Sequence, residues 1–236
     1  MASQRLNKYI ALCSEYSRRM ADKLIEEGVV TINGNKATMG MQVEDGDVVE
    51  VYGKPLKMPE KKVVLAFNKP VGVTVSKKDD HADILIDELI DYPINLTYAG
   101  RLDKDSEGLI LLSNDGDLIN KLMRGSEHHE KEYIVKLNKE ATEKDVEILR
   151  KGIYLSELKV KTRSAIVEPL GKVTYRMVIT QGLNRQIRRM WSERGYKVTS
   201  LKRVRIENIK LGSLKSGEYR EITDAELTKL YKTAGL

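Results

Sequence analysis

One aspartate of the chain lies where a carboxylate could do chemistry. Asp103 occurs in the stretch YAGRLDKDSEGLILLSNDGDL, in a polar loop that leads into the apolar run Leu109–Leu112. This run is short and closes at Ser-Asn-Asp-Gly, which predicts a buried strand followed by a turn. Loops fixed by a rigid strand often carry catalytic groups, although an isolated aspartate in a loop is also an ordinary turn residue. A carboxylate at this position could act as a nucleophile or as a general base.

Positive charge is concentrated in one segment of the chain. From Gln181 to Arg205 there are eight basic residues and the single acid Glu193, so the local excess of seven positive charges exceeds the net charge of +6 of the whole chain. A surface that binds phosphates needs such a concentration, because each neutralised phosphate releases counterions. A solvated basic helix face is the alternative. The distribution favours a nucleic acid as the partner.

Three side chains in other segments bear on Asp103. Tyr133 lies at the start of an alternating strand in HEKEYIVKL, Arg188 near a predicted helix start in QGLNRQIRRM, and Leu201 in the basic strand YKVTSLKRVRI. Each also has a purely structural interpretation, as a half-buried strand aromatic, a surface charge and a core residue. Taken singly, the three residues leave both interpretations open.

The composition argues against several kinds of chemistry. Cys13 is the only cysteine and the three histidines are not spaced as zinc ligands, so we expect neither a disulfide within the chain nor a metal site. The motif G-x-G-x-x-G and the P-loop are missing, which argues against a nucleotide cofactor. No run approaches the roughly 20 apolar residues of a membrane span, and the N-terminal residues lack the apolar core of a signal peptide. These features predict a cytoplasmic protein with no membrane contact.

Patterns along the 236 residues predict two domains. Residues 1–52 contain two amphipathic helices and two hairpins, with turns at Asn-Gly and Asp-Gly dipeptides. Residues 53–62 hold two prolines and four lysines, which predicts a linker. In residues 63–236 many strands joined by short turns are interrupted by a few helices. That pattern predicts an α+β domain built on a mixed, largely antiparallel sheet.

Individual helices can be predicted from their caps and periodicity. The second helix is expected to begin at Ser17 and end at Gly28, with Met20, Leu24 and Ile25 facing inward. Further helices are expected around ADILIDELI, TEKDVEILRKG, NRQIRRMWSERG and TDAELTKLYKTAG.

The N-terminal domain resembles the S4 RNA-binding domain. The segments RLNKYIA, SRRMADKLIEEGVVTINGNKA and VEDGDVVEV keep the helix, turn and strand cues of that family in order. The resemblance implies a small α/β fold whose helical pair presents basic residues to structured RNA, although some of these residues could serve solubility alone. The basic residues concerned are Arg5, Lys8, Arg18, Arg19 and Lys23.

Almost the whole chain is similar to the RsuA-type pseudouridine synthases. The motifs concerned are NKPVGV, GRLDKDSEGLILLSNDG, KEYIV, GLNRQIRRM and LKRVRIENIKLGSLKSGEYREIT, with Ser106 where threonine is commoner. The resemblance implies an S4 domain joined by a short linker to a synthase domain with a central cleft. It also implies conversion of uridine to pseudouridine in RNA. This reaction breaks N1–C1′, turns the uracil and joins C5 to C1′ without redox change, so no cofactor is expected.

The resemblance also implies roles for individual residues. Asp103 matches the single catalytic carboxylate, which attacks C1′ or takes a proton from the sugar, and Arg188 matches its cationic partner. Tyr133 matches the aromatic that stacks on the base and exchanges protons, and Leu201 an apolar wall of the pocket. The target uridine must leave the base stack, at a cost of a few kcal/mol. The residues expected to bind the RNA around it are Arg101, Leu102, Lys104, Arg185, Gln186, Ile187 and Arg189.

The resemblance is fullest to one branch of this family. The segments SRR-AD, DKDS-GLI, HEKEY and QGLNRQIRRM agree with synthases of the large ribosomal subunit, which predicts a uridine of 23S ribosomal RNA as the substrate. Transfer RNA stays open as a second substrate, and a monomer is expected. Two alternatives are a small-subunit (16S) synthase of the RsuA type and a non-catalytic S4-domain factor that binds ribosomal RNA.

Overall fold

A computed structural model describes residues 3–59, 61–76, 82–124 and 128–236 of the chain. The chain forms two compact units, Met1–Lys62 with Tyr92–Leu96 and Val63–Asp91 with Thr97–Leu236. None of the helices in the described ranges is long and apolar enough to cross a membrane.

The first unit packs two helices against a small antiparallel sheet. The elements are β1 (Gln4–Arg5), α1 (Leu6–Cys13), α2 (Arg18–Glu27), β2 (Val30–Ile32), β3 (Asn35–Lys36), β4 (Gln42–Val43), β5 (Val49–Val51) and β6 (Lys54–Pro55). Four strands pair in the order β3-β2-β5-β6, and β1 pairs with β4. The β2–β3 turn has positive φ at both Asn33 (52°) and Gly34 (79°), the backbone that an Asn-Gly hairpin predicts.

Helix α2 has the predicted ends but not the whole predicted face. The Ser17 hydroxyl accepts a hydrogen bond from the Met20 amide at 3.2 Å, and Gly28 ends the helix in the left-handed region. Met20 itself is 45% exposed, so its predicted inward position is wrong. The buried face runs through Ala21, Leu24 and Ile25. Met20 precedes Ala21 by one residue, and one residue turns a helix by about 100°, which rotates the Met20 side chain away from the core.

The segment expected to be a linker begins with structure that belongs to the first unit. Strand β6 lies at residues 54–55 and pairs with β5. Leu56 and Met58 then pack against the core of the same unit. Apolar side chains between the lysines therefore extend this unit past residue 52, although the charge and proline content of the segment favoured a linker.

The second unit is built on one large sheet. The elements are β7 (Val64–Lys69), η1 (Ile86–Leu89), β8 (Thr97–Tyr98), β9 (Glu107–Ser113), α3 (Gly116–Met123), β10 (Lys131–Leu137), α4 (Glu143–Arg150), β11 (Tyr154–Leu155), β12 (Val160–Lys161), β13 (Ile166–Gly171), β14 (Thr174–Ile179), α5 (Gln186–Ser192), β15 (Val198–Ile206), β16 (Ile209–Lys210), β17 (Tyr219–Glu221) and α6 (Asp224–Thr233). Within the described residues nine strands form the sheet, in the main order β13-β14-β10-β15-β9-β7-β17, with β8 on β9 and β16 on β15. Strands β9 and β15 run parallel and the other paired neighbours antiparallel. The α+β class with a mixed, largely antiparallel sheet is confirmed.

Two elements of this unit differ from the expectation. ADILIDELI forms only the short 3-10 helix η1, because Leu85 is extended and bridges to Thr74 while Ile86 is fully buried. Helix α3 was not expected, although Asp115 caps it by accepting hydrogen bonds from the amides of Asp117 and Leu118. Helices α4, α5 and α6 lie where the caps and periodicity predict them.

The parallel pair of β9 and β15 passes unusually close at one glycine. Gly108 pairs with Arg203 across the two strands and has a φ of +107°. A Cβ atom at position 108 would lie 2.2 Å from the backbone oxygen of Arg203 and 2.7 Å from its nitrogen. Real Cβ atoms do not come this near to backbone, so glycine is required for this pairing. The contact fixes the start of β9 against the middle of β15.

Candidate active site

A cleft of about 580 Å³ opens in the second unit beside the start of β9. The loop before β9, the strands β10 and β15 and the start of helix α5 all line it. Nine of the residues predicted for the site do so: Arg101, Leu102, Asp103, Lys104, Tyr133, Arg185, Gln186, Ile187 and Leu201. Residues from four separate segments of the sequence are therefore brought together.

The loop that carries Asp103 is tied down at several points. The Ser106 amide donates to the Asp103 carbonyl at 3.0 Å, and the Gly72 amide donates to the Lys104 carbonyl at 2.8 Å. Ser106 is fully buried, whereas the side chain of Asp103 is 31% exposed. The carboxylate therefore lies at the cleft surface, on a loop whose backbone is fixed by hydrogen bonds.

Arg185 forms the ion pair with Asp103. Its Nη1 lies 3.3 Å from Asp103 Oδ2, and its two terminal nitrogens donate to Asp105 at 3.1 and 3.0 Å. Arg185 immediately precedes helix α5 and has a left-handed backbone, with φ of 49°. This conformation is uncommon for a residue with a side chain, and it turns the backbone sharply just before the helix begins. The hydrogen bond from Arg185, aided by the charge of Arg188, lowers the pKa of Asp105 against the effect of burial.

Arg188 lies one helical turn further on and holds the loop by its backbone. Its Nη2 donates to the Asp105 carbonyl at 2.8 Å and to Ser106 Oγ at 3.2 Å, and its Nη1 donates to the Val198 carbonyl at 3.1 Å. Its ion pair, at 3.4 Å, is with Asp105. The expected contact between Asp103 and Arg188 is thus replaced by one with Arg185. The side chain of Arg188 is 13% exposed, and burial lowers the pKa of its guanidinium.

Tyr133 and Leu201 form one wall of the cleft from neighbouring strands. Tyr133 on β10 is the cross-strand partner of Arg203 on β15, and Val135 is the partner of Leu201. Both Tyr133 and Leu201 are buried and belong to the main hydrophobic cluster of this unit. The wall is therefore rigid, and it combines an aromatic ring with an aliphatic side chain.

The residues expected to bind RNA around the cleft divide by burial. Leu102, Gln186 and Ile187 are buried, and the two aliphatic side chains belong to the hydrophobic cluster, so only a nucleotide inside the cleft could reach them. Arg101 and Lys104 are exposed at the edge, with Lys104 paired to an aspartate at 2.6 Å.

Arg189 is bound within the protein. Its Nε donates to the Asn184 carbonyl at 3.0 Å and its Nη2 to Asn184 Oδ1 at 3.2 Å, and it forms an ion pair with Glu157. In the part of the chain that the structure describes, Arg189 is not one of the residues that line the cleft. These contacts give Arg189 a structural role that the charge pattern did not indicate.

Sequence reasoning missed a buried lysine beneath the Asp103 loop. Lys69 ends strand β7 with no exposure, and its Nζ donates to the carbonyls of Pro70 and Val73, both at 2.8 Å. Burial lowers the pKa of Lys69 to about 8, and the negative charge of Asp103 opposes this fall. The signal that could have revealed it was a lysine that follows the apolar run Val63–Phe67 after only one residue, a position that places it on a buried strand.

The expected RNA-binding residues of the first unit lie on its helical surface. Arg5, Arg18, Arg19 and Lys23 are exposed, and Lys8 is half-buried. Three of them lie on α2, with Arg19 and Lys23 spaced one turn apart. This surface can meet several phosphates at once.

Comparison with known proteins agrees with both resemblances that the motifs indicated. The family described as RNA pseudouridylate synthase matches residues 63–193, and the S4 domain matches residues 4–49. The chain is 43% identical over 233 residues to the dual-specificity RNA pseudouridine synthase RluF of Escherichia coli strain K12, covering 98% of this chain and 79% of that protein. It is 35% identical over 233 residues to the ribosomal large subunit pseudouridine synthase B of Bacillus subtilis strain 168, covering 96% and 95%.

A solved structure has the same fold over nearly the full length. The crystal structure of a pseudouridylate synthase superposes with a TM-score of 0.71 at 33% identity, covering 96% of this chain and 99% of that one. Both domains are therefore included in the likeness.

Proposed function

Because this chain belongs to the RNA pseudouridylate synthase family, and so isomerises uridine to pseudouridine in RNA, we propose that its substrate is a specific uridine of 23S ribosomal RNA and that Asp103 carries the reaction. One observation supports the second part most directly. The Asp103 carboxylate lies at the cleft surface, paired with Arg185, in the same cleft that Tyr133 and Leu201 line.

The proposed reaction needs one carboxylate and no external reactant. The N1–C1′ bond breaks with its electron pair moving to the base, while Asp103 adds to C1′ or takes a sugar proton. The uracil turns, and C5 bonds to C1′ as Asp103 leaves C1′ or returns the sugar proton. A proton then leaves C5, and a proton is taken up at N1. Atoms and charge balance, so the product is an isomer of the substrate.

The neighbouring residues have distinct proposed roles. Tyr133 stacks on the flipped base and can exchange a proton through its hydroxyl, and Leu201 closes the pocket on the apolar side. Arg185 pairs with the Asp103 carboxylate in the RNA-free protein and so holds it at the cleft surface. Arg188 holds the Asp103 loop through backbone contacts.

Binding to the surrounding RNA is assigned to exposed cations. Arg101 and Lys104 at the cleft edge, with Arg185 once RNA is bound, contact the strand that the uridine has left. The basic surface of α1 and α2 contacts structured RNA. Phosphate contacts of this kind set position and affinity without reading the sequence.

Similarity to a named large-subunit enzyme supports the 23S target, and the family match removes the non-catalytic alternative. The Bacillus subtilis relative bears the name of a large-subunit enzyme. A non-catalytic S4 factor is no longer an alternative, because a family match spans residues 63–193. The term dual-specificity in the name of the Escherichia coli relative favours a second RNA substrate, for which transfer RNA is the candidate. A small-subunit target stays as an arm of the test.

The test compares three RNAs and two variants of the protein. Unmodified 23S RNA, 16S RNA and bulk transfer RNA are incubated separately with the protein, and pseudouridines are mapped by carbodiimide labelling and primer extension. We expect one new pseudouridine in 23S RNA with the wild type and none with Asp103→Asn. The exposed Asp224→Asn on helix α6 makes the same chemical change away from the cleft and should match the wild type.

The outcomes separate target from mechanism. Modification of 16S RNA without 23S RNA would overturn the proposed target. Turnover by Asp103→Asn on any of the three RNAs would overturn the proposed carboxylate, whichever RNA is the substrate.

A further inference from the structure

A buried arginine forms part of the floor of the cleft and has a donor to spare. Arg203 on β15 lines the cleft with a residue exposure of only 3%. Its Nε donates to the Leu109 carbonyl at 2.6 Å, whereas its Nη2 is buried and has no hydrogen-bond partner among the described residues. A buried donor without an acceptor destabilises the protein, and more so when the group is charged. Such a cost is expected where a ligand completes the contact.

The position of Arg203 is fixed by the sheet on both sides. On one side it faces Tyr133 as a cross-strand partner, and on the other it pairs with Gly108 at the start of β9. Side chains that face each other across strands lie about 4.5–5.5 Å apart at Cβ. The guanidinium is therefore held next to the aromatic wall, and its strand is packed against the strand that follows the Asp103 loop.

Besides the exposed cations at its edge, the cleft has positive charge among its less exposed lining residues. Lys131, two residues before Tyr133 on β10, also lines the cleft. Burial, and then the positive charge of Arg203, lower the pKa of Lys131 to about 8. A buried guanidinium and a partly buried ammonium group, close enough to repel each other, create a site that favours an anion or a strongly polarised oxygen.

We propose that the guanidinium of Arg203 donates a hydrogen bond to a carbonyl oxygen of the target uracil and holds the base while it is detached from the ribose. This inference rests on the proposed reaction. When N1–C1′ breaks, the electron pair stays on the base, and the resulting negative charge is shared by N1, O2 and O4. A fixed guanidinium stabilises that charge more than it stabilises the neutral base, which is the condition for catalysis by electrostatics.

The symmetry of uracil lets one donor serve both positions of the base. Turning the ring by half a turn about the axis through N3 and C6 exchanges N1 with C5 and also exchanges O2 with O4. An oxygen therefore lies at the same place before and after the turn. Arg203 can bind one carbonyl at bond breakage and the other at bond formation without moving.

Other acceptors in the RNA fit this donor less well. Phosphates lie on the outside of a flipped nucleotide and would meet the exposed Arg101 and Lys104 first. The base lies flat against Tyr133 in the proposed complex, so its carbonyl edge is the part that reaches a buried neighbour of that ring.

The test changes single atoms of the substrate and a single residue of the protein. Hairpin RNAs carrying 2-thiouridine or 4-thiouridine at the target position are compared with normal RNA under single-turnover conditions. Sulfur is a weak hydrogen-bond acceptor, so the wild type should convert both thio substrates about 10- to 100-fold more slowly. Equal rates for the three RNAs with the wild-type protein would overturn the proposal without any variant.

The variant Arg203→Met removes the donor while keeping most of the side-chain volume. We expect its rate on normal RNA to fall about 10- to 100-fold, with RNA affinity within a few fold of the wild type and with the penalty for sulfur abolished. A slowed variant that keeps the full sulfur penalty would overturn the proposal, because the arginine would then act on structure alone. Lys136→Met, an exposed residue of β10, is the matched control and should behave as the wild type.

Two further arms keep the result interpretable. Arg203→Lys retains charge but not the planar fork, so it should keep the fold if Arg203→Met does not and should still lose most of the sulfur penalty. An unchanged sulfur penalty in Arg203→Lys would count against the proposal. The RNA is taken from whichever ribosomal sequence the wild type converts, so a wrong 23S target changes the hairpin and leaves this comparison intact.

Discussion

The exposed arginines of the N-terminal helices and two buried arginines at or beside the cleft have opposite surroundings. Arg18 and Arg19 at the start of α2 are exposed to solvent. Arg188 and Arg203 are largely buried, and backbone carbonyls hold their guanidinium groups. The same residue type therefore occurs in a solvent-exposed form on one unit and in a fixed, desolvated form in the other.

This difference separates binding from chemistry. An exposed arginine follows a phosphate backbone at little cost, and its contribution is screened by salt. A buried arginine is costly to desolvate but acts at a fixed place and in a medium where charge has a larger effect. Substitutions in the two sets should accordingly change different kinetic quantities.

Among substitutions of these cations, Arg188→Lys is expected to have the largest effect. A lysine cannot reach the carbonyls of Asp105 and Val198 and the hydroxyl of Ser106 together, so the Asp103 loop loses its fixed position. We expect the chemical rate to fall about 100-fold, because buried acceptors left without donors cost about 1–3 kcal/mol. Single-turnover kinetics on an RNA hairpin measures the rate, and binding titrations should give a Kd within a few fold of the wild type.

Arg185→Lys is the matched variant for that comparison. Its ion pair with Asp103 joins side chains that are 40% and 31% exposed, and exposed pairs contribute at most about 1 kcal/mol. A loss of about fivefold or less is expected. If Arg185→Lys were the slower of the two variants, Arg185 would be the partner on which the chemistry of Asp103 depends.

A pH series should separate the lysines in and below the cleft from the exposed arginines of α2 without any substitution. Lys69 and Lys131 have pKa values lowered to about 8, chiefly by burial, so both are charged below pH 8 and become neutral above it. The cleft therefore loses positive charge as pH rises, and we expect the chemical rate to fall about fivefold between pH 8 and pH 9. Arg18 and Arg19 stay charged throughout, so the Kd should not change. A rate that stays constant up to pH 9 would show that the lysine charges do not contribute.

The smallest effect is expected for the exposed helix. Arg18→Gln and Arg19→Gln should each weaken RNA binding about threefold and lower the slope of log affinity against log salt by about one unit, as for phosphate contacts. The rate at saturating RNA should be unchanged. Glu26→Gln on the same helix is the control for a surface substitution. A lower saturating rate in either arginine variant would link this surface to the chemical step.

Local cues in the sequence were sufficient for most of the fold. Helix α2 begins after Ser17 and ends at Gly28, and the run Leu109–Leu112 is a buried strand, both as predicted. These predictions hold because caps and short apolar runs act through neighbouring residues alone. ADILIDELI shows where this fails. Its helical periodicity is overridden by pairing of Leu85 with Thr74, a contact that local sequence does not encode.

The site was predicted by residue type better than by contact. Asp103, Tyr133 and Leu201 do meet in one cleft, although the motifs that contain them are far apart in the chain. The partner of Asp103 could not be derived, because Arg185 and Arg188 differ by one helical turn and the left-handed backbone at Arg185 decides which one faces the carboxylate. Burial of Lys69 was equally hidden, since it depends on the strands that cover it.

The close approach at Gly108 also sets limits on how the cleft can be redesigned. Any side chain at this position meets the backbone of Arg203, so in a library that varies residue 108 the active clones should all carry glycine. Gly182 also lines the cleft, but a Cβ there would have open space within 4 Å, and its backbone has no positive φ. An enzyme engineer who wishes to narrow the pocket toward smaller or altered bases therefore has room at residue 182 and none at residue 108.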